Sequence, residues 1–520
     1  MEKKRNIVLV NPPLPYKADP LAALGLEALK STLNQEGYSN VHILDSAIEG
    51  INDVDSIISK IRQLAADLDF LGIGMLPAVA QFTKQLINRA RQEYKDRAIE
   101  ICIGGYFPTS YGEQTFDFLD PNFPDYVVLG RGEQALLDIL EVGKSAKIPN
   151  VITHTEAGIL NGDRAPVDLS QTPWPERNGI NSDNTAKVTR LIGCPGHCTF
   201  CTVHNYAYDN KSQEVKQRTP EDFVNELEYL FHESGIENFD ILDDDAIGDN
   251  PEQWHRILDL IEEKGLKGKI KFWILTRIEG VVNNHALIKR MAESGLTGCY
   301  LGLESLIKRQ LKLYNKMNSR LSQADYFTFF AQVRKSREIL EENSIIPKYG
   351  FIPIDAEVTL EELKLNILLL KELGLLYYVS ELTKRVAIYE GSGIQKQYRK
   401  KGYLYEPKER TDEDWIVQRY NYISKDPRII KLQPLLNQWM KGIYQTSIDV
   451  KSLNRERYID PDSEKSNKAW QLYKNLRDVE LEMLEELMRL VGKNAPEDVI
   501  KEKLKFYIDK YNSIFKKIVL

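Results

Sequence analysis

Gly193-Cys194-Pro195-Gly196-His197-Cys198-Thr199-Phe200-Cys201 decides how the rest of the chain is read. Three of the five cysteines fall in this stretch, spaced Cys-x-x-x-Cys-x-x-Cys. The apolar run 188–192 precedes them, so the triplet sits on a loop leaving a strand. Three thiolates converging from one loop point to a metal site, and soft sulfur ligands suit zinc or an iron–sulfur cluster. A zinc site would take Cys194, Cys198, Cys201 and His204, which lies three residues beyond Cys201. Structural zinc, however, usually staples a small module without a core, whereas this loop opens a long α/β stretch. Three thiolates without a fourth suit a [4Fe–4S] cluster with one iron left open.

The bulk properties bound the setting. At 520 residues the chain exceeds one ordinary core, and two to four domains are expected. Composition is globular, with 42% hydrophobic and 28% charged residues. Net charge is −7 and no basic block occurs, which gives no support for a nucleic-acid partner. No apolar run approaches the roughly 20 residues of a membrane helix. Met1-Glu2-Lys3-Lys4-Arg5-Asn6 is basic, but a short apolar run leads at once to Asn11-Pro12-Pro13, unlike a signal peptide. Five cysteines, three of them clustered, do not make a disulfide framework. A cytoplasmic protein without a nucleic-acid or membrane partner is expected.

Upstream of the cysteines, residues 1–145 alternate β-branched runs at 7–10, 41–44, 70–74, 99–103 and 126–129 with amphipathic stretches such as 21–36. This pattern predicts a doubly wound, flavodoxin-like parallel sheet, with ligands beyond the carboxyl ends of its strands. The loops there are Asn11-Pro12-Pro13, Met75-Leu76-Pro77, Gly104-Gly105-Tyr106-Phe107-Pro108-Thr109 and Gly130-Arg131-Gly132-Glu133. The glycines fit either a close backbone approach to a ligand or tight strand-to-helix turns. No G-x-G-x-x-G follows the first strand, which argues against a dinucleotide site. Residues 146–186, with Thr172-Pro173-Trp174-Pro175, read as a linker carrying a short hairpin near 150–160.

Downstream, residues 187–400 resume the alternation, with strands expected at 187–192, 238–242, 270–275, 298–303, 347–354 and 377–382. Six parallel βα units suit a partial (β/α)6 barrel, whose chemistry belongs at the carboxyl ends of its strands. Those ends carry Asp243-Asp244-Asp245, Thr276-Arg277, Leu301-Gly302-Leu303-Glu304-Ser305 and Tyr349-Gly350-Phe351-Ile352-Pro353. Cys102 and Cys299 lie inside apolar strands and read as core residues. Residues 401–520 read as helical, with amphipathic helices at 479–491 and 498–518 that cap the barrel or cover a substrate.

Two resemblances follow from these motifs. The run from Leu24-Gly25-Leu26 through the Gly104 and Gly130 loops resembles the cobalamin-binding domain at the front of many radical S-adenosylmethionine enzymes. The resemblance implies cobalamin contacts at Leu76, Gly104, Gly105, Pro108, Thr109, Gly130, Gly132 and Glu133. The D-x-H-x-x-G that supplies a lower axial histidine in mutase-type domains is missing, so cobalt is expected above an apolar floor at Met75-Leu76-Pro77. Residues 187–395 resemble the radical S-adenosylmethionine domain through Cys194, Cys198, Phe200 and Cys201. There the resemblance implies cluster ligation by the three cysteines, and S-adenosylmethionine contacts from Phe200, Asp243, Asp244, Arg277, Glu304 and Ile352. The usual G-x-P-G-E-T is reduced to Ile354-Asp355-Ala356-Glu357-Val358-Thr359.

Together the resemblances imply a cobalamin-dependent radical enzyme, an electron donor such as flavodoxin or ferredoxin, and a small-molecule or peptide substrate. Methyl transfer to an unactivated carbon is the first expectation, and rearrangement, ring contraction or cyclisation the alternative. A methylthiotransferase would need a second cysteine triplet, and residues 1–186 hold only Cys102. A non-catalytic cobalamin or metal sensor would not need the acidic strand end and Glu304 beside the cysteine loop.

Overall fold

Ile7, Val8, Leu9 and Val10 are each at most 1% exposed. A strand apolar on both faces belongs inside a parallel sheet covered by helices. In the computed structural model this strand, β1 (Ile7–Asn11), lies between β2 (Val41–Asp45) and β3 (Phe70–Gly74). β4 (Glu100–Gly104) and β5 (Tyr126–Val128) follow, giving the order β2-β1-β3-β4-β5 with every pair parallel. The order reverses between β1 and β3, so the crevice beyond their carboxyl ends is the natural ligand position. The structure describes residues 3–14, 23–165, 168–177, 184–204, 215–248, 250–316, 323–405, 421–461 and 463–519.

The first sheet continues past the expected boundary at residue 145. β6 (Val151–Thr155) and β7 (Gly158–Asn161) form the hairpin read in the linker, and β6 pairs antiparallel with β5. The sheet thus has seven strands, and the hairpin is part of it.

The second sheet has five parallel strands in the order β14-β13-β12-β11-β8: β8 (Thr185–Val188), β11 (Asn238–Ile241), β12 (Lys271–Thr276), β13 (Leu296–Glu304) and β14 (Ile346–Phe351). The strand expected at 187–192 is broken. Its second part, β9 (Leu191–Ile192), leaves the sheet and pairs antiparallel with β10 (Lys216–Gln217). The sixth strand, expected at 377–382, forms only one isolated parallel bridge, between Val379 and Tyr349. Beyond that bridge its polar groups go elsewhere: buried Arg477 donates to the carbonyls of Val379 (3.0 Å) and Ser380 (3.2 Å), and Leu382 N donates to Glu480 (3.3 Å). A helix side chain takes the place of a strand partner.

Arg477 and Glu480 belong to Glu464–Gly492, the middle one of three helices that close the chain with Pro427–Ile459 and Glu497–Val519. The bundle is tied to the second sheet by Lys271 Nζ donating to the Ile459 carbonyl (2.6 Å) and by Arg455 paired with Asp240 (3.1 Å). Among the described residues no helix is long and apolar enough to cross a membrane.

Candidate active site

The break after β8 is what presents the cysteines. Asp243, fully buried just past β11, accepts from the backbone N–H of Arg190 (2.8 Å) and of Leu191 (2.9 Å), and from Arg190 Nε (3.0 Å). Arg190 is 1% exposed and also donates to the Ala246 carbonyl. The pair turns the chain out of the sheet, so β9 and the cysteine loop overhang the strand ends. Asp243 was expected to touch S-adenosylmethionine; its carboxylate is instead consumed in holding the loop. Asp244, next in sequence, accepts from Gly193 N (2.8 Å) and keeps an exposed face toward the cleft. Asp245 is buried and accepts from Thr276 Oγ1 (2.7 Å).

Within the loop, Gly196 N donates to Cys194 Sγ (3.3 Å) and Val203 N to Cys201 Sγ (3.5 Å). Burial pushes the Cys194 thiol up to about 12 and raises Cys201 as well, so a metal must displace their protons to be bound. Among the described residues no group of three His, Cys, Asp or Glu side chains is gathered closely enough to hold a single ion. The far side of the loop rests on residues 313–315. Thr199 donates to the carbonyls of Tyr314 (from N, 3.1 Å) and Leu313 (from Oγ1, 2.6 Å), and Asn315 Nδ2 donates to the His197 carbonyl (2.8 Å). Phe200 packs edge-on to Tyr314 at 5.5 Å, in a small apolar cluster that includes Ile352. Phe200 and Ile352 thus belong to the same cluster.

Arg277 follows β12 and runs beside the loop, its Cδ and Nε 3.8 Å from where a Cβ on Gly196 would stand. Glu304 ends β13 at a bulge with φ +65°, a conformation that costs a non-glycine residue about 1 kcal/mol or more. Its carbonyl accepts from Ile352 N (2.7 Å), and its carboxylate lies over Gly350, where a Cβ would stand 3.1 Å from Oε2. The following residue anchors this strained turn. Ser305, Gln310, Asn366 and Asp355 are all fully buried and bonded to one another, with Asn366 Oδ1 also accepting from Leu306 N (2.9 Å). The reduced loop at 354–359 thus serves the fold: Asp355 pairs with Arg309, and Thr359 makes a capping box with Glu362.

A cleft of about 530 Å³ joins the two sheets. The first unit contributes Leu76, Gly104, Gly105, Gly130, Gly132 and Glu133, and the second contributes Thr189, Leu191, Leu242 and Asp244. Two predicted contacts are not in its wall. Pro108 is buried, and Thr109 pins neighbouring loops by donating to the Gly105 carbonyl (2.7 Å) and accepting from Gly130 N (2.8 Å). Of the expected apolar floor Met75-Leu76-Pro77, Met75 (fully buried) and Leu76 (44% exposed) both line the cleft, whereas Pro77 does not. Gly105, at φ +109°, sits against the Met75 backbone, where a Cβ would meet the carbonyl oxygen at 3.2 Å. That glycine is required by the turn itself.

Three features had escaped the sequence. Tyr106 of the first unit is hydrogen-bonded to Thr202, beside Cys201, and lies edge-on to Tyr389 at 6.1 Å, so it bridges the two units. The supposed linker forms a wall of the cleft through Pro173, Trp174, Pro175 and Arg177, with Arg177 paired to buried Glu226 (2.8 Å). A tryptophan between prolines in a polar stretch was the available signal. Lys316, 12% exposed, pairs with Glu304 (3.3 Å) and donates to the Gly302 carbonyl (3.2 Å); no motif pointed to it.

Residues 188–341 match the family model described as the Radical SAM superfamily. The anaerobic magnesium-protoporphyrin IX monomethyl ester cyclase of Cereibacter sphaeroides is 24% identical over 354 residues, 64% of this chain and 54% of that protein. The cytidylyl-2-hydroxyethylphosphonate methyltransferase of Streptomyces wedmorensis is 23% identical over 367 residues, 61% of this chain and 66% of that protein. The chain therefore spans little more than half the length of the first of these relatives. Among solved structures, the cobalamin-dependent S-adenosylmethionine radical enzyme OxsB, with aqua-cobalamin bound, superposes with TM-score 0.74 at 17% identity, covering 99% of this chain and 80% of that one. That likeness is one of fold.

Proposed function

We propose, from the premise that residues 188–341 form a radical S-adenosylmethionine domain, that this chain is a cobalamin-dependent radical methyltransferase acting on an unactivated carbon. One observation carries it: Leu191 and Ile192, which lead into the cysteine loop, and Asp244 line one cleft with the strand-end loops of the first unit, and Tyr106 and Thr202 join the two units beside Cys201. The donor set fits the implied groups. Three cysteines on one overhanging loop are soft ligands for three corners of a four-iron cluster and leave the fourth iron open. The cleft between the sheets is predominantly apolar around Leu76, Leu191 and Leu242, which suits the flat face of a corrin. No histidine lines it among the described residues.

When bound, the cluster and cobalamin supply reductive cleavage of S-adenosylmethionine to a hydrogen-abstracting radical and the methyl group that replaces the hydrogen. The chain's own residues bind and orient. Cys194, Cys198 and Cys201 hold the cluster. Asp244 presents a carboxylate to the amino group of S-adenosylmethionine, Arg277 a guanidinium to its carboxylate, and Glu304 an acceptor to its ribose or methionine part. Phe200 and Ile352 pack against the adenosyl group. Leu76 forms the floor beneath the corrin, and Gly104, Gly105, Gly130, Gly132 and Glu133 line the pocket for the rest of cobalamin. A small-molecule or peptide substrate enters between the two cofactors, and a flavodoxin or ferredoxin supplies electrons.

The test is anaerobic turnover with cobalamin and candidate substrates. Methyl transfer yields both 5′-deoxyadenosine and S-adenosylhomocysteine, and Cys198→Ala abolishes both. Formation of 5′-deoxyadenosine without S-adenosylhomocysteine refutes methyl transfer and favours a second reading, a cyclisation or rearrangement, for which the similarity to the cyclase speaks. A bound-cobalamin spectrum with histidine nitrogen on cobalt refutes the apolar floor.

A further inference from the structure

Beside the cysteine loop stands a charge that none of the roles above employs. Lys316 follows the helix Lys308–Leu313, and the chain between them holds the cysteine loop through Leu313, Tyr314 and Asn315. Its side chain is 12% exposed, and its ammonium group has the Glu304 carboxylate at 3.3 Å, the Gly302 carbonyl at 3.2 Å and the Phe200 ring centroid at 6.0 Å around it. Phe200 lies between Cys198 and Cys201 in sequence. Burial opposes the charge on Lys316, but the paired Glu304 carboxylate favours it, and the lysine stays protonated. Arg277, the other cation beside the loop, is 36% exposed and so better screened by solvent.

We propose that Lys316 supplies the fixed positive charge that sets the reduction potential of the iron–sulfur site on Cys194, Cys198 and Cys201, with Glu304 as the opposing charge. The inference rests on the cluster reading given above. Reduction adds one electron to the site; no bond forms or breaks and no proton need move. A buried cation stabilises the added negative charge, and cluster potentials follow local net charge and solvent exposure. A carboxylate beside it works in the opposite direction. Lys316 is thus a positioning residue that acts through the electrostatic field, and its pairing with Glu304 at 3.3 Å makes the two effects partly cancel in the native protein. A unit charge about 10 Å from a redox group, at an effective dielectric constant of about 20, shifts a one-electron equilibrium by roughly tenfold.

The experiment is an anaerobic dithionite titration of the reconstituted full-length protein without S-adenosylmethionine, read by electron paramagnetic resonance of the reduced cluster. Lys316→Met should shift the reduction equilibrium about tenfold toward the oxidised form, equivalent to lowering the midpoint by about 59 mV. Glu304→Gln should move it in the opposite direction, Lys316→Arg should leave it near wild type, and the double variant Lys316→Met/Glu304→Gln should return close to wild type. Opposite signs are what a merely structural pair would not give. Equal potentials for wild type and Lys316→Met, both with four irons per chain, overturn this inference alone, as do shifts of the same sign for the two single variants. If Lys316→Met fails to hold a cluster, Glu304→Gln against Lys316→Arg decides, since only the former should raise the potential. A wild-type chain that takes up no four-iron cluster overturns the cluster reading, and this inference with it.

Discussion

Replacing Asp243 and Asp244 by alanine, one at a time, should separate two carboxylates that are neighbours in sequence but differ in task. Asp243 is fully buried and accepts three hydrogen bonds, at 2.8, 2.9 and 3.0 Å, from two backbone N–H groups and from Arg190. Its removal leaves the Arg190 guanidinium buried without its counter-charge, a loss of about 3–5 kcal/mol. At about 2–4 °C per kcal/mol for a unit of this size, Asp243→Ala should melt roughly 6–20 °C lower. Asp244 is exposed to the cleft and accepts one bond, from Gly193 N at 2.8 Å. Its loss should cost about 1 kcal/mol of stability. What Asp244→Ala should lose is affinity for S-adenosylmethionine: a charge-assisted hydrogen bond is worth about 1.5–3 kcal/mol, or roughly ten- to hundredfold in Kd. Anaerobic thermal melts and equilibrium dialysis with labelled S-adenosylmethionine measure the two quantities. Equal melting losses for both variants would refute the reasoning. So would an Asp243→Ala protein that melts like wild type yet binds S-adenosylmethionine poorly, because it would place Asp243 at the ligand.

Gly350→Ala should fold yet bind S-adenosylmethionine at least several-fold more weakly. Its Cβ would stand 2.8 Å from the Tyr300 hydroxyl and 3.1 Å from the Glu304 carboxylate, so Glu304 must move; unchanged affinity by dialysis would contradict this. Tyr106→Phe should retain its iron but weaken cobalamin binding by about fivefold, the worth of one net hydrogen bond lost between the two units, as a spectrophotometric titration can measure. Asp426 tests the C-terminal attachment. Its bond from Arg428, with those from the Leu360 and Arg428 backbone, holds its carboxyl down at about 2. Because the folded value lies below the unfolded one, its contribution of roughly 2 kcal/mol is complete above about pH 4 and is lost as pH falls toward 2. Asp426→Asn should therefore flatten the acid limb of a stability–pH curve measured by denaturant titration over that window.

Most strands of both sheets could be placed within two residues because parallel strands, buried on both faces or on one, keep strong apolar runs. Two elements failed for a common reason, a side chain arriving from far along the chain. The stretch 187–192 has apolar residues on both sides of Thr189 and Arg190, and what breaks it is the pair of hydrogen bonds that Asp243, more than fifty residues later, accepts from Arg190 N and Leu191 N. The stretch 377–382 has the composition of a strand, but Arg477 and Glu480 occupy its polar groups. Neither local propensity nor periodicity contains that information.

The strand-end residues of the site are different, because strand parity could have sorted them. Successive side chains of a strand point to opposite faces. Phe239 and Ile241 are buried on the helix-covered face of β11, so Asp243 continues that face and Asp244 continues the open one with Leu242. On β12, Phe272, Ile274 and Thr276 are buried, which assigns Trp273, Leu275 and Arg277 to the open side. On β13, Cys299, Leu301 and Leu303 are buried while Tyr300 and Gly302 face the interior with Glu304, whose carboxylate the glycines at 302 and 350 leave room to lie flat. Three consecutive aspartates therefore carried their own assignment once the register of the apolar residues was used. Lys316 obeys no such rule. It follows a short helix, and only the pinning of residues 313–315 beneath the cysteine loop brings it to Glu304, so its place had to be seen. The ligands that grip a group can be found from strand parity and spacing, whereas the charges that tune it depend on how separate loops pack together.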